Sequence, residues 1–352
     1  LVQQLQGWSL GMRHSTEAPD GARARLAATV AALRRPSSYP GKVWQVEAIE
    51  THMSWVFLTQ THAYKLKKPI RTPVLDHTTI EARRRACETE LELNRRLAPK
   101  VYLEVVPLVS SARGVRLEQE GEPIDWLVKM VRLPREDMLD ARIERGVIRT
   151  AEIDGLAAVL ANFYATAERA ALDPSSYRYR ITADIESKST SLEQRRYGLS
   201  TADIHAVVAD QARWLVHHGG LLDARAAKVV DAHGDLRPEH ICLELPKPVV
   251  IDCLEFDRDL RLLDPLSELA FLALECRRLE AEWIGEQLLA TYADRSGDHP
   301  PPGLVPFYQS HHALVRAAIA VWHLDDDSLG ESDRWRTRGA WYLHTARRLL
   351  RG

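Results

Sequence analysis

Cysteine is scarce in this chain: four in 352 residues, at positions 87, 242, 253 and 276. None forms a CxxC, so neither a disulfide framework nor a zinc site is expected. Their apolar settings read as small buried thiols in a reduced compartment. Charge of one sign is lacking too. With 47 Lys and Arg against 49 Asp and Glu, no overall basic field invites a nucleic acid. No apolar run approaches the ~18 residues of a membrane span, and LVQQLQGWSLGMRHSTEAPDG lacks the charged-then-apolar pattern of a leader. The chain begins with Leu rather than Met, so its first twenty residues carry little weight. There is no internal repeat, no low-complexity stretch and no G-x-x-x-x-G-K-[ST]. The expectation is a cytoplasmic protein with neither nucleic-acid nor membrane partner.

What is present is enough apolar sequence, 45%, for one large domain or two lobes. ARARLAATVAALRR at 22–35 has helical spacing and ends at Pro36. From Val43 to Ile70, short runs rich in Val, Trp, Phe and Tyr alternate with polar turns, which predicts an antiparallel meander. A helix is expected from Thr79 to Leu97, then strands in VYLEVVPLVS, GVRLEQE and DWLVKMVRLP. After Pro134 helical periodicity dominates, in stretches starting at 151, 202, 266 and 332. DHPPPG at 298–303 reads as a loop. The pattern divides the chain into an N-terminal helical extension (1–40), a strand-rich lobe with one helix (41–134) and a larger helical lobe (135–352), with a cleft between lobes as the place for a ligand.

The stretch HGDLRPEHICLELPKPVVIDCLEF, 233–256, interrupts the helical half. Asp235 sits in a loop between Gly234 and Pro238, and Asp252 ends the apolar run PVVID. Two short strands joined around Pro246 to Pro248 would bring these carboxylates together. Paired carboxylates in a cleft repel unless a cation neutralises them, and Mg²⁺ with a phosphate substrate meets that need. The residues alone leave open the plainer reading of an Asx-turn and a strand cap.

HGDLRPEH followed by VVIDCLEF resembles the catalytic segment of the aminoglycoside phosphotransferase-like kinases, which have a protein-kinase-like fold. ETHMSWVFLTQTHAYKLKKP, CETELELNRRLAP, WLVKMVRLP and LRLLDPLSELAFLAL fit the same family in the same order, so the resemblance covers roughly residues 40 to 350. It is greatest to a bacterial branch sometimes fused to a P-loop ATPase domain; that motif is not in this sequence. The resemblance implies an α+β bilobal fold, with a small antiparallel-sheet N-lobe bearing one helix and a mainly helical C-lobe. It also implies ATP and Mg²⁺ or Mn²⁺ as cofactors, with a small-molecule hydroxyl as acceptor.

By that resemblance Asp235 is the catalytic base and Asp252 the metal ligand, with His240 at the position that completes the metal site. Lys65, in AYKLKK, contacts the nucleotide phosphates, with Lys67 on the same strand face as competitor. Glu90 is the partner of that lysine on the helix. Met130 and Leu133 lie where the backbone meets adenine. The turn THMS takes the place of the phosphate-covering loop without its glycines, leaving Thr51 and Ser54 hydroxyls or backbone amides for the task. Asp264 is an N-cap or a tie to the catalytic loop.

The chain departs from the family pattern at Arg237, Glu239 and His240, where His, Gly and Asn are common. An imidazole at His240 suits Mg²⁺ less than the Asn oxygen, so Glu239 supplies an oxygen, or the metal rests on Asp252 and waters, or catalysis is lost. Arg237, Glu255 and Asp257 are expected to face the acceptor. The adjacent pairs His217-His218 and His311-His312 point about 100° apart on a helix and make no ready metal site. A nucleotide-binding pseudokinase and a nucleotidyl transferase are the competing functions.

Overall fold

In the computed structural model, residues 20–72, 75–111, 114–117, 120–194, 197–243, 247–325 and 332–351 are described. The chain opens with helix α1 (Asp20–Leu33) and continues into β1 (Glu47–Glu50), β2 (Ser54–Leu58) and β3 (His62–Lys67). A small hairpin, β4 (Arg71–Thr72) with β5 (Leu75–Asp76), leads to α2 (Ile80–Arg95). There follow β6 (Tyr102–Ser111), β7 (Gly114–Leu117) and β8 (Pro123–Val131). The six longer strands form one sheet in the order β1-β2-β3-β8-β6-β7, antiparallel throughout.

Strand alternation gives this sheet two different faces. On β3, Tyr64 and Leu66 join a core with Val30 and Leu33 of α1, so α1 packs directly on the sheet. Ala63 points the other way, into a cluster with Cys87 of α2 and with Met130. Lys65 and Lys67 share that second side. Helix α2 starts where Thr79 accepts the Ala82 N–H at 3.1 Å, one orphan donor of the first turn satisfied. Arg83 fixes α2 to β8 through a buried two-pronged contact with Asp125, 2.9 and 3.0 Å.

Beyond Pro134 the chain forms α3 (Leu139–Glu144), α4 (Thr150–Thr166), α5 (Pro174–Leu192) and α6 (Thr201–Arg225). Four two-residue strands follow: β9 (Val230–Asp231), β10 (Ile241–Cys242), β11 (Val249–Val250) and β12 (Leu262–Leu263). Helices α7 (Pro265–Arg278), α8 (Glu282–Ser296), α9 (Leu304–Trp322) and α10 (Ser332–Leu349) complete the chain. A single large apolar cluster joins these helices. No helix among the described residues is long and apolar enough to cross a membrane.

Two helical expectations need correction. The continuous periodicity from 266 to 293 is broken into α7 and α8, because the chain turns at Glu280, whose φ is +60°. Helices α3 and α9 were not among the helical stretches read from the sequence, and neither was α5. Its signal was the Asp173-Pro174 start, where Asp173 accepts the Ser176 N–H at 3.1 Å. The expected hairpin is present, with Ile241 opposite Val250; Pro246 lies outside the described residues.

Candidate active site

The alternation that turns Tyr64 and Leu66 toward α1 turns Lys65 and Lys67 toward α2, and Glu90 receives both. Lys65 Nζ lies 2.9 Å from Glu90 Oε1, and Lys67 Nζ lies 2.5 Å from Oε2. Glu90 is 0% exposed and Lys67 1%. Two buried ammonium groups around one carboxylate require another anion, since an unpaired buried charge is strongly destabilising. Glu255 supplies it by pairing with Lys67. Lys65 turns its remaining capacity outward, to Asp252 Oδ1 at 2.6 Å. Burial opposes charge on Lys65, but Asp252 and then Glu90 outweigh it and hold its pKa well above the usual lysine value. Burial likewise opposes ionisation of Asp252, and Lys65 and His240 overcome it, driving that carboxyl far below its ordinary range.

Asp252 is held in an unusual conformation. Its φ is +61°, a region in which an Asp costs about 1–2 kcal/mol less favourably than glycine would. Its N–H donates to Tyr102 Oη at 3.1 Å, and the next amide, of Cys253, donates to Asn94 Oδ1 at 2.8 Å. Asn94 is one turn beyond Glu90 and also donates to the Glu90 carbonyl at 2.9 Å. Helix α2 therefore places the lysine partner and supports the Asp252 backbone together.

The loop after β9 carries Asp235. Gly234 has φ +87°, and a Cβ there would come within 3.1 Å of both Arg261 and Leu254, so this position requires glycine. The His233 and Gly234 amides donate to Glu268 at 3.1 and 2.6 Å, and Tyr164 Oη donates to the same carboxylate at 2.8 Å. His233 Nε2 lies 2.9 Å from the Ile251 carbonyl and its Nδ1 accepts the Asp235 N–H at 3.3 Å. This assigns a neutral Nε2–H ring, and burial with His240 nearby pushes its pKa down to about 4.

Asp235 Oδ1 lies 3.0 Å from Arg237 Nε. Burial raises its pKa, while Arg237, His240 and Arg316 more than compensate and keep it ionised below the usual range. His240 lies between the two acidic residues. Its Nδ1 is 2.9 Å from the Asp235 carbonyl oxygen, and its Nε2 is 3.5 Å from Asp252 Oδ2 and 3.0 Å from Arg237 Nη2.

A cavity of about 820 Å³ opens between sheet and helices, within the size range of small-ligand sites. Of the residues singled out from sequence, Thr51, Ser54, Lys65, Met130, Leu133, Asp235, Arg237, His240, Asp252, Glu255 and Asp257 line it. Glu90 stands behind Lys65. Between the two lysines the geometry distinguishes clearly, because Lys65 faces the cavity and Lys67 does not line it. The turn at 51–54 closes on itself, with Thr51 Oγ1 donating to the Ser54 carbonyl at 2.9 Å and accepting its N–H at 3.0 Å. The Thr51 and Ser54 amides and the Thr51 hydroxyl are therefore engaged within the turn, contrary to the expectation that these groups are available to phosphates. Glu255 also needs correction: its carboxylate is drawn to buried Lys67 rather than directed at an acceptor.

The tie between α7 and the loop that carries Asp235 is Glu268, not Asp264. Asp264 caps α7, accepting the Leu266 N–H at 3.1 Å, and binds Arg225. Sequence reading also missed Tyr102, Asn94 and Arg96. Arg96 donates to the Asp231 and Ala232 carbonyls, each at 2.9 Å, linking the end of α2 to the start of the loop that carries Asp235. For Asn94 a signal existed, its four-residue spacing from Glu90; for Tyr102 there was none, since only the fold brings it to Asp252. His217 and His218 lie exposed on α6, whereas His311 and His312 line the cavity.

The fold is that of the aminoglycoside phosphotransferase-like kinases. A choline/ethanolamine kinase family protein from Mesorhizobium loti superposes with TM-score 0.51 at 16% identity, over 94% of this chain and 99% of that one. A choline kinase from Cryptosporidium parvum gives 0.54 at 10%, over 93% and 96%. The GDP complex of aminoglycoside 2'-phosphotransferase-IIIa gives 0.51 at 15%, over 88% and 94%. No family model matches the sequence. In sequence the chain is 32% identical over 278 residues to uncharacterised proteins of Mycobacterium tuberculosis and Mycobacterium bovis, matching 78% of this chain. It spans about half the length of these curated relatives, 54%.

Proposed function

We propose that this protein transfers the γ-phosphoryl group of ATP to a hydroxyl of a small molecule. The observation that carries this reading is the grouping of Asp235, Asp252 and the Lys65–Glu90 pair around one cavity. Phosphoryl transfer asks a protein chiefly to position reactants and neutralise charge. Lys65 is a cation already oriented by Glu90, able to exchange Asp252 for phosphate oxygens. Asp235, ionised and half-exposed, accepts the hydroxyl proton late in the transfer, so its depressed pKa is no obstacle. Main chain from Met130 to Leu133 borders the cavity where an adenine edge would lie.

The donor set fits a hard divalent cation bound together with a nucleotide. Mg²⁺ is commonly held by one or two carboxylates plus substrate phosphates, and Asp252, 43% exposed at its side chain, offers such a carboxylate. The described residues contain no cluster of three or more metal-ligating side chains, which accords with a metal that arrives with its nucleotide. Glu239 is bound to Arg237 at 2.8 Å and does not line the cavity. His240, engaged by Arg237 and by the Asp235 carbonyl, is a positioning group for the loop. When bound, the metal would neutralise phosphate charge beside Asp252.

The test is product analysis by mass spectrometry with ATP, Mg²⁺ or Mn²⁺ and a panel of hydroxyl compounds, against Asp235→Ala. A phosphate-mass gain that disappears in the variant is the expected result. An AMP-mass gain would establish nucleotidyl transfer, and nucleotide binding without any product would establish a pseudokinase.

A further inference from the structure

On the C-lobe side of Asp235 the cavity wall is rich in guanidinium groups. Arg237 comes from the catalytic loop, Arg316 from α9 and Arg180 from α5. Arg316 is the least explained of the three. Its Nε is buried without a hydrogen-bond partner, and its ion pair is a loose 3.4 Å contact with Glu275 Oε1. That carboxylate is already occupied, taking Tyr342 Oη at 2.5 Å and Arg278 at 2.9 Å. Neither Glu275 nor Glu239 lines the cavity, whereas Asp235, which pairs with Arg237 Nε at 3.0 Å, does. Arg338 of α10 approaches the same patch, and burial followed by Arg278 lowers its pKa.

Three acidic residues, Asp184, Asp257 and Asp259, line the same side. Asp184 is bound by Lys188 at 2.7 Å and faces His311 Nε2 at 2.9 Å. Asp257 accepts the Asp259 N–H at 2.9 Å, and the main-chain carbonyl of Asp259, not its carboxylate, takes Arg180 at 2.5 Å. We propose that the acceptor is an anionic hydroxyl compound whose carboxylate or phosphate seats against Arg316 and Arg237, one hydroxyl facing Asp235. This deepens the phosphotransferase reading and rests on it. Planar guanidinium groups bind such oxygens through two donors, whereas a quaternary ammonium would meet like charge.

The experiment measures binding by calorimetry, with a non-hydrolysable ATP analogue and Mg²⁺ present. Matched probes are D-gluconate and D-glycerate, glucose 6-phosphate, their neutral counterparts D-glucose and glycerol, and choline. We expect at least one anionic probe to bind more tightly than its neutral counterpart and than choline. Arg316→Gln should weaken that binding by on the order of tenfold or more while nucleotide affinity is kept, and Arg316→Lys should restore part of it. Because Arg316→Gln leaves Glu275 with less compensation, Arg316→Met with Glu275→Gln provides a second variant that removes both partners. Preference for choline or the neutral polyols, no binding of any anionic probe, or anion binding indifferent to Arg316 would overturn the inference. Failure of the nucleotide analogue itself to bind would instead remove the phosphotransferase reading.

Discussion

The two halves of the site differ in how they treat charge. On the α2 side, Glu90 and Lys67 are shut away from water, at 0% and 1% exposure, and their charges are matched internally. On the catalytic-loop side, the Asp235 and Asp252 side chains remain 29% and 43% exposed. A buried ion network holds its geometry without a ligand because breaking it strands a charge. Exposed carboxylates can exchange partners, which a site must do when a phosphate arrives. Lys65 stands at the boundary, with one bond to each half.

The comparison is broken most severely by substitutions on the exposed side. Asp235→Asn should reduce kcat by about 10²–10⁴-fold while leaving the unfolding midpoint nearly unchanged. Steady-state kinetics and thermal unfolding on one preparation decide this, and a destabilised but active protein would contradict the division. Next comes Lys67→Met on the buried side, expected to destabilise by about 3–5 kcal/mol, since Glu255 and Glu90 would share only Lys65. Lys65→Met should do the opposite, losing nucleotide affinity with a smaller loss of stability. Urea unfolding and nucleotide titration of the two variants should therefore give opposite rankings.

How far these halves were legible in sequence follows from the same division. Asp235, Asp252 and Lys65 were singled out by the resemblance of their motifs to the kinase family, the residues alone leaving a turn and a strand cap open, and the sheet, α2 and the 241–250 hairpin follow from local periodicity and turns. Glu90 was separable from Glu88 and Glu92 by its helical register; the structure buries it and leaves Glu88 paired with Arg84 at 2.9 Å. The second layer was not legible. Glu255 reads as a loop acid, yet Lys67 lies 188 residues away in sequence, and no local pattern reports such a pairing. Glu268 sits inside an apolar helical run, where its carboxylate looks out of place until the two backbone amides it accepts are located. Helix α5 escaped because its polar, β-branched sequence lacks a clear apolar stripe.

Acid separates the halves by pH. Burial lowers the pKa of His233 and His77 to about 4 and of His312 to about 3, against about 6.5 unfolded. The unfolded chain therefore binds more protons between these values, so stability is complete above pH 6.5 and falls as pH drops toward 4. Each histidine contributes up to about 1.4 kcal/mol per pH unit in that window. The Asp235 and Asp252 carboxyls are depressed below 3.8, so their contribution is lost only at lower pH. Urea midpoints at pH 7, 6 and 5 should decline steadily; a flat series would mean that these rings take up protons as readily in the folded protein as in the unfolded chain.

The smallest effect expected is the most informative about how the exposed half is aimed. Glu268 gives the catalytic loop its fixed end, accepting two main-chain amides and the Tyr164 hydroxyl. Glu268→Gln retains the size but substitutes an NH₂ for one acceptor oxygen, so one amide faces a donor and is left unsatisfied, costing about 1–3 kcal/mol. The chemistry of Asp235 is untouched. If Glu268 only stabilises, kcat should be that of the parent protein wherever the variant is folded. If it aims the loop, kcat should fall severalfold at full occupancy of the fold, with nucleotide affinity preserved because Lys65 and Glu90 belong to the other half. Kinetics at a temperature well below both unfolding midpoints separates these outcomes, and a loss confined to nucleotide affinity would show that the two halves are coupled through α2 rather than independent.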